Sequence, residues 1–293
     1  MSITITVIIP TFNRKECLRS VLNCLQNQIK EEFILHTIVV VDGSTDGSIE
    51  MIKNDFPDVE IIYGDGNWWY TKCINKGIKR ALENGSENIL TLNDDIVFDE
   101  NYIITLLSVA LQNKKNTLIG SASFTQSQPF RITFSGIKSL VRWRLKFSVY
   151  IKKFSCVDIT SFRGYAPSIC LSGRGMFFSK EIIDEIGMFD EKFVQYGSDS
   201  DFSYRAYKKG YSVIISYDAK VFENEKLTSI GVAFNKPGLY NFYKSFFNIH
   251  SSNSLLMSSR FYFKHGYKFL LPAYLTIILG GSFYNLYFKY RNL

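Results

Sequence analysis

Asn93, Asp94 and Asp95 interrupt an apolar run, with Ile89, Leu90 and Leu92 before them and Ile96, Val97 and Phe98 after. A short apolar segment bounded by polar residues has the pattern of a strand buried on both faces. Two adjacent carboxylates at its end are expensive to bury unpaired. They are either solvated at a turn or neutralised by a cation. Hard oxygens suit Mg2+ or Mn2+, which take one or two carboxylates together with phosphate oxygens. A plain acidic turn is the structural alternative. A second acidic group, Ser198-Asp199-Ser200-Asp201, opens a helical pattern that runs to Lys209. Acids are favoured at a helix N-terminus, and Ser198 or Asp199 is of the type that caps one.

The elements around these residues alternate. Ile3–Ile9 is a β-branched run ended by Pro10-Thr11, and Cys17, Leu18, Val21, Leu22 and Leu25 follow at helical spacing. Strands are predicted at Thr37–Val41, Val59–Tyr63 and Ile89–Leu92, with helices at Ser48–Asn54, Thr71–Glu83 and Tyr102–Gln112. Regular alternation with short connections argues for an α/β fold, a doubly wound and mainly parallel sheet. Four polar loops then fall on one sheet edge: Pro10–Arg14, Asp42–Asp46, Gly64–Asn67 and Asn93–Asp95. In such sheets ligands collect outside the carboxyl ends of the strands. The first loop has no glycine, and neither a G-x-G-x-x-G fingerprint nor a P-loop occurs. A glycine cradle for a diphosphate is therefore unsupported, and a metal held by Asp94 and Asp95 fits the residues better. The three histidines, His36, His250 and His265, are scattered and read as structural or exposed.

Later segments are less regular. Ser121–Phe134 alternates weakly, as strands do. Lys138–Lys153 alternates basic and apolar residues, which suits a strand or an interfacial helix. A helix at Lys180–Ile186, a turn at Gly187–Phe193 and a strand at Tyr211–Ser216 complete the middle.

Hydrophobic residues are 46% and charged residues 21% of the 293, the proportions of a folded protein, with nothing to suggest long disorder. Five cysteines lack paired or C-x-x-C spacing, so a reduced, cytosolic protein without structural zinc is expected. The net charge is 34 − 27 = +7, unevenly spread. Asn101–Val157 and Lys226–Leu293 contain no Asp or Glu and carry nine and eight Lys or Arg. Such asymmetry points to an anionic partner: a membrane surface, a diphosphate or a nucleic acid, the last without any recognised module. Near the C-terminus, Phe269–Phe288 is nearly uncharged. Its Pro272, Gly280-Gly281 and many tyrosines favour an in-plane membrane helix over a spanning one. Packing on the rest of the chain, or a homodimer interface, is the alternative.

Several stretches resemble the inverting family 2 glycosyltransferases, which have the GT-A fold. They are V-I-I-P-T-F-N-R at 7–14, V-V-V-D-G-S-T-D-G-S at 39–48, G-N-W-W-Y-T-K-C-I-N-K-G-I at 66–78, L-N-D-D at 92–95, G-R-G-M-F-F at 173–178 and F-D-E-K-F-V-Q-Y-G-S-D-S-D-F-S-Y-R-A at 189–206. Each is unspecific alone; six in order, across Thr4 to Gly231, are not. The Trp-Trp element and the late acidic motif look like the branch that builds bacterial surface polysaccharides, rhamnosyltransferases among them. The resemblance implies a catalytic domain over 1–231, with a nucleotide-sugar half to residue 100 and an acceptor half beyond, and a helical, aromatic-rich extension over 232–293.

The same resemblance implies roles. Pro10, Thr11 and Asp42 match residues that hold the nucleoside. Asn13, Arg14, Gly66, Asn67, Trp68, Asn75, Asn93 and Asp94 complete the donor set. Asn93-Asp94-Asp95 matches the D-x-D motif, with Asp95 the foremost ligand for Mn2+ or Mg2+. Gly173, Arg174 and Gly175, with Trp69, match the acceptor side. Asp199 matches the general base, with Asp201 able to share that role. Two departures stand out. The usual Glu-Asp pair reads Ser198-Asp199, and the region of a family metal-binding His reads Val221-Phe222-Glu223-Asn224, so Glu223 is a candidate replacement ligand. The implied partners are a nucleotide-diphosphate sugar and a glycan or polyprenyl-linked glycan, at the inner face of the cell membrane. A non-catalytic nucleotide- or glycan-binding relative is the second reading, and a nucleotidyltransferase of similar fold ranks last.

Overall fold

The computed structural model describes residues 3–29, 33–113, 116–224 and 239–291. Strand β1 (Ile3–Thr11) leads to helix α1 (Lys15–Gln26), which buries Leu18, Val21, Leu22 and Leu25 at helical spacing. Then come β2 (Phe33–Asp42), α2 (Ser48–Asp55), β3 (Glu60–Gly64), α3 (Trp69–Glu83), β4 (Asn88–Thr91), the short β5 (Ile96–Val97) and α4 (Tyr102–Gln112). Next come β6 (Leu118–Thr125), β7 (Ile132–Phe134), β8 (Ile137–Val141), β9 (Lys146–Val149), β10 (Tyr165–Pro167), β11 (Met176–Ser179), α5 (Lys180–Ile186), α6 (Ser198–Lys209) and β12 (Val213–Glu223). Helices α7 (Leu239–Phe247), α8 (Leu255–His265) and α9 (Leu271–Arg291) follow.

The main sheet runs β10-β12-β6-β11-β4-β1-β2-β3. Strands β1 to β4 are mutually parallel, and β12 is parallel to β6; only β11 and the edge strand β10 are reversed along this path. The alternation of the strands builds two cores. Ile5, Val7, Ile9, Val39 and Val41 face α1, α2 and α4. Ile8, Ile38 and Val40 face α3, α5 and α6. Helices thus cover both sheet faces, the doubly wound arrangement expected.

Because β1, β2, β3 and β4 run the same way, their four polar loops meet at one edge. The reversed β11 starts at that edge, where the Gly175 N–H donates to the Thr91 carbonyl (3.1 Å). Gly175 has φ +85, and a Cβ there would lie 2.2 Å from the Tyr102 hydroxyl. The edge can close only around glycine.

Some local expectations change. Lys138–Lys153 is no helix: β8 and β9 pair as an antiparallel hairpin whose Ile137, Leu140 and Phe147 pack with Cys170 and Tyr204. The strand predicted at Tyr211–Ser216 is longer, since an irregularity between Ser216 and Lys220 absorbs the polar Tyr217-Asp218 and pairing resumes to Glu223. The boundary expected between residues 231 and 232 lies outside the described residues. No described helix is long and apolar enough to cross a membrane. Helix α8 packs on the preceding chain: Tyr262 is fully buried and its hydroxyl donates to the Trp143 carbonyl (2.5 Å).

Candidate active site

The acids after β4 are brought together with the loop after β1. Thr11 Oγ1 donates to Asp94 Oδ2 (2.8 Å), and one Arg14 guanidinium nitrogen reaches both Asp94 (3.1 Å) and Asp95 (3.0 Å). Burial pushes the Asp94 carboxyl up to about 6, against the pull of the Arg14 charge. Asp95 Oδ1 is buried and lacks a hydrogen-bond partner. A carboxylate oxygen left open beside a second carboxylate is where a divalent cation fits. Among the described residues no three His, Cys, Asp or Glu side chains cluster into a full cage. A cation here would complete its shell with phosphate oxygens and water, as Mg2+ commonly does.

Asp42 holds the neighbouring loop. Its carboxylate accepts from the backbone N–H groups of Gly66 (2.8 Å), Trp68 (2.9 Å) and Trp69 (2.9 Å). The approach demands small residues: a Cβ on Gly64 would lie 2.5 Å from Asp42 Oδ1. Trp69 adopts φ +59, a left-handed conformation rare for a bulky residue. Its ring stacks on His250, with centroids 3.4 Å apart.

Two adjoining cavities open at this edge. The first, about 330 Å³, is lined by Pro10, Thr11, Arg14, Asp42, Gly66, Trp69, Asn93 and Asp94, with Phe12, Tyr70, Cys73 and Gln195. The second, about 290 Å³, is lined by Arg14, Asn93, Asp95, Gly173, Arg174 and Asp199, with Tyr70, Ser172, Gln195, Tyr196 and Ser252. Arg14, Tyr70, Asn93 and Gln195 line both.

Asp199, in the first turn of α6, lines the second cavity together with Asp95. Its carboxylate accepts from the Gly173 N–H (2.8 Å) and the Ser200 N–H (3.0 Å). Burial holds its carboxyl above the ordinary carboxylate range, although the Gly173 hydrogen bond opposes this. Such a group is an acceptor for a proton from a hydroxyl. The capping expected of Ser198 or Asp199 does not occur, because Gly197 at φ +92 takes the cap position. Ser198 is instead buried and accepts from Thr71 Oγ1 (2.8 Å), tying α6 to α3.

Other expected residues are placed apart from the cavities. Asn13 accepts from the Thr45 N–H (2.8 Å) and so joins two loops. Asn67 is anchored on Asp65 (2.9 Å). Trp68 lies under Lys72 and Lys76, each 5.3 Å from its ring centroid. Asn75 bonds the backbone of Phe189 through both ends of its amide. Gly175 belongs to the sheet junction described above. Glu223 is buried with Arg174 Nε 3.0 Å from Oε2. That N–H is not aligned for a hydrogen bond, so the oxygen stays open.

Asp201, two residues beyond Asp199, lines neither cavity. It is fully buried and meets Arg205 (2.8 Å), Lys264 (2.8 Å) and His265 (2.7 Å). Burial alone would raise its carboxyl; the His265 and Lys264 hydrogen bonds and the Arg205 charge outweigh that and hold it at about 2. Its oxygens are committed to this cluster, which leaves no room for a share in proton transfer. Tyr70 was not foreseen. Its hydroxyl is buried without a hydrogen-bond partner, and a Cβ on Gly173 would lie 2.0 Å from it. His250 and Ser252 reach the site from beyond α7, across a sequence gap no local pattern reveals.

A family model described as "Glycosyl transferase family 2" matches residues 6–186. The chain belongs to glycosyltransferase family 2. Among family 2 relatives it is 26% identical to the chondroitin synthase of Pasteurella multocida (strain Pm70) over 238 residues, 71% of this chain and 23% of that protein. It is 26% identical to the dTDP-rhamnosyl transferase RfbF of Shigella flexneri over 243 residues, 81% of this chain and 76% of that one. The chain spans 23% and 32% of the length of two chondroitin synthases that it matches. The crystal structure of GalNAc-T7 with UDP, GalNAc and Mn2+ superposes with a TM-score of 0.63 at 14% identity, covering 82% of this chain and 46% of that one. The S. aureus TarS 1-349 structure gives 0.55 at 15% identity, covering 89% and 72%. The fold of this family 2 chain is thus GT-A.

Proposed function

We propose that the protein transfers a sugar, with inversion at the anomeric carbon, from a nucleotide-diphosphate sugar to a hydroxyl of a glycan or lipid-linked glycan. The observation that carries this reading is the pair of adjoining cavities with Asp94, Asp95 and Arg14 on one side and Asp199 on the other. The nucleoside lies in the first cavity against Pro10, Thr11 and Asp42, and its diphosphate reaches Arg14. The acceptor enters the second cavity over Gly173 and Arg174.

Asp199 takes the proton from the acceptor hydroxyl as its oxygen bonds to the anomeric carbon. The bond from that carbon to the diphosphate oxygen breaks, and the electron pair leaves with the diphosphate. A single displacement inverts the centre and needs no nucleophilic side chain. Asp95, through its open oxygen, and Asp94 are the residues that would hold Mn2+ or Mg2+. When bound, the metal supplies Lewis-acid stabilisation of the departing charge. Glu223, expected as a further ligand, lines neither cavity and pairs with Arg174 instead, so phosphate oxygens and water would complete the shell. The free Tyr70 hydroxyl offers a donor to substrate oxygen where the cavities join. Asn13, Trp68 and Asn75 serve by positioning loops rather than by contact.

The names of the relatives, chondroitin synthase and dTDP-rhamnosyl transferase, support a role in surface-polysaccharide assembly. An acceptor on a lipid carrier would put the protein on the inner face of the cell membrane, on the cytoplasmic side. The test is a screen for nucleoside-diphosphate release from a panel of sugar nucleotides, dTDP-sugars first, with Mn2+ present and lipid-linked glycan added. Release that rises with one donor and one acceptor is expected. Tight nucleotide binding without release from any donor would favour the non-catalytic reading instead.

A further inference from the structure

The two acid-free stretches, 101–157 and 226–293, are far apart in sequence, yet described parts of them meet in the fold. The turn of the β8–β9 hairpin packs on α8 and α9. Leu145 is buried with Tyr262 and Tyr274, and Arg142 Nε donates to the His265 carbonyl (3.4 Å). From that turn a chain of basic and aromatic contacts runs outward. The Arg142 guanidinium lies 4.9 Å from the Tyr267 ring centroid, Tyr267 is 6.1 Å from Phe269, and Lys268 sits 4.6 Å over Phe263. Phe269 is 79% exposed and Trp143 44%. Beside Phe263 opens a cavity of about 610 Å³ that also presents Lys192, Arg260, Lys264 and Lys268. The carboxylate in its wall, Asp190, is already paired with Lys264 (2.7 Å).

We propose that this face docks on an anionic lipid bilayer, with Phe269 and Trp143 entering the headgroup layer and the basic cavity receiving a lipid phosphate. Aromatic side chains set among cations suit a membrane–water interface, where apolar rings and anionic headgroups lie side by side. Charge decides between this partner and a second copy of the chain. A symmetric self-contact would set cations against cations, because the acid in the cavity wall, Asp190, is already paired with Lys264. The proposal deepens the reading of a lipid-linked acceptor. It is tested separately, because vesicle binding requires no catalysis.

The experiment is vesicle co-sedimentation of the full chain, with phosphatidylcholine alone and with phosphatidylglycerol added. Binding only to the anionic vesicles, weakened by salt, is expected. Lys192→Gln and Lys268→Gln should each weaken it roughly fivefold, the contribution of one cation near such a surface. Phe269→Ser should weaken it about tenfold through lost apolar burial. These side chains lie outside both catalytic cavities, so the melting temperature and donor turnover in solution stay unchanged and serve as folding controls. Equal binding to neutral vesicles, or full anionic binding by the Lys192→Gln/Lys268→Gln/Phe269→Ser variant, would overturn the proposal. So would a concentration-dependent dimer that Phe269→Ser disperses, with no vesicle binding.

Discussion

Replacing Asp199 with Asn lowers sugar transfer by about 10²–10⁴-fold, the range for loss of a general base, while nucleotide binding stays near that of the parent. The side chain keeps its shape and its oxygen still accepts from the Gly173 N–H, so the loop stays in place; the Ser200 N–H loses its acceptor along with the base. The first cavity, where the nucleoside is proposed to bind, does not include Asp199, which is why binding is spared. The same group sets the acid limb of the pH profile. The base must be ionised, and burial holds its carboxyl above the ordinary carboxylate value of 3.8. Transfer should therefore fall toward acid with an inflection above that value, and the limb should vanish from the residual rate of the Asn variant. An unchanged rate or an unchanged acid limb would remove Asp199 from the reaction.

The second large effect is on stability. Asp201→Ala leaves Arg205, Lys264 and His265 around a buried hole where a carboxylate had been. Removing one partner of a buried ion pair costs about 3–5 kcal/mol. For a chain of this size that is a fall of roughly 10 °C in melting temperature. The sign of the pH dependence follows from the same cluster. His265 is held below its ordinary 6.5, chiefly by burial, and Asp201 below 3.8, at about 2. Both groups bind fewer protons folded than unfolded across those windows. Stability is therefore present at neutral pH, begins to fall as pH drops below 6.5, and falls further from near 4 toward 2. Thermal unfolding of parent and variant across this range measures it. A variant within 2 °C of the parent, given roughly 2–4 °C per kcal/mol, would show that the cluster contributes little.

This cluster also shows what a single sequence conceals. Asp199 and Asp201 are alike in type and two apart, and local pattern allows either as base. Their partners separate them. Asp199 faces a loop N–H and a cavity, whereas Asp201 faces His265, 64 positions away. His265 read as scattered for the same reason. The sheet edge was legible because each strand announces its own end, and parallel order then forces the four loops together. Thr11 on Asp94 and Asp42 on Gly66 are consequences of that geometry. The length of β12 was not legible, since Tyr217-Asp218 looks like a stop and only pairing with β6 and β5 carries the strand to Glu223. Tyr70 and the Trp69–His250 stack depend on a backbone conformation at Trp69 that composition does not announce.

We propose that Asp95 and its neighbours engage a metal-bound diphosphate. The direct measurement is calorimetric titration of the protein with a nucleoside diphosphate, with and without Mn2+, in parent and Asp95→Ala chains. Binding that strengthens at least tenfold with Mn2+ in the parent, and loses most of that gain in the variant, is predicted; a gain of about 1.4 kcal/mol or more is readily resolved. Equal binding with and without Mn2+ in the parent, or an undiminished Mn2+ effect after Asp95→Ala, would contradict it.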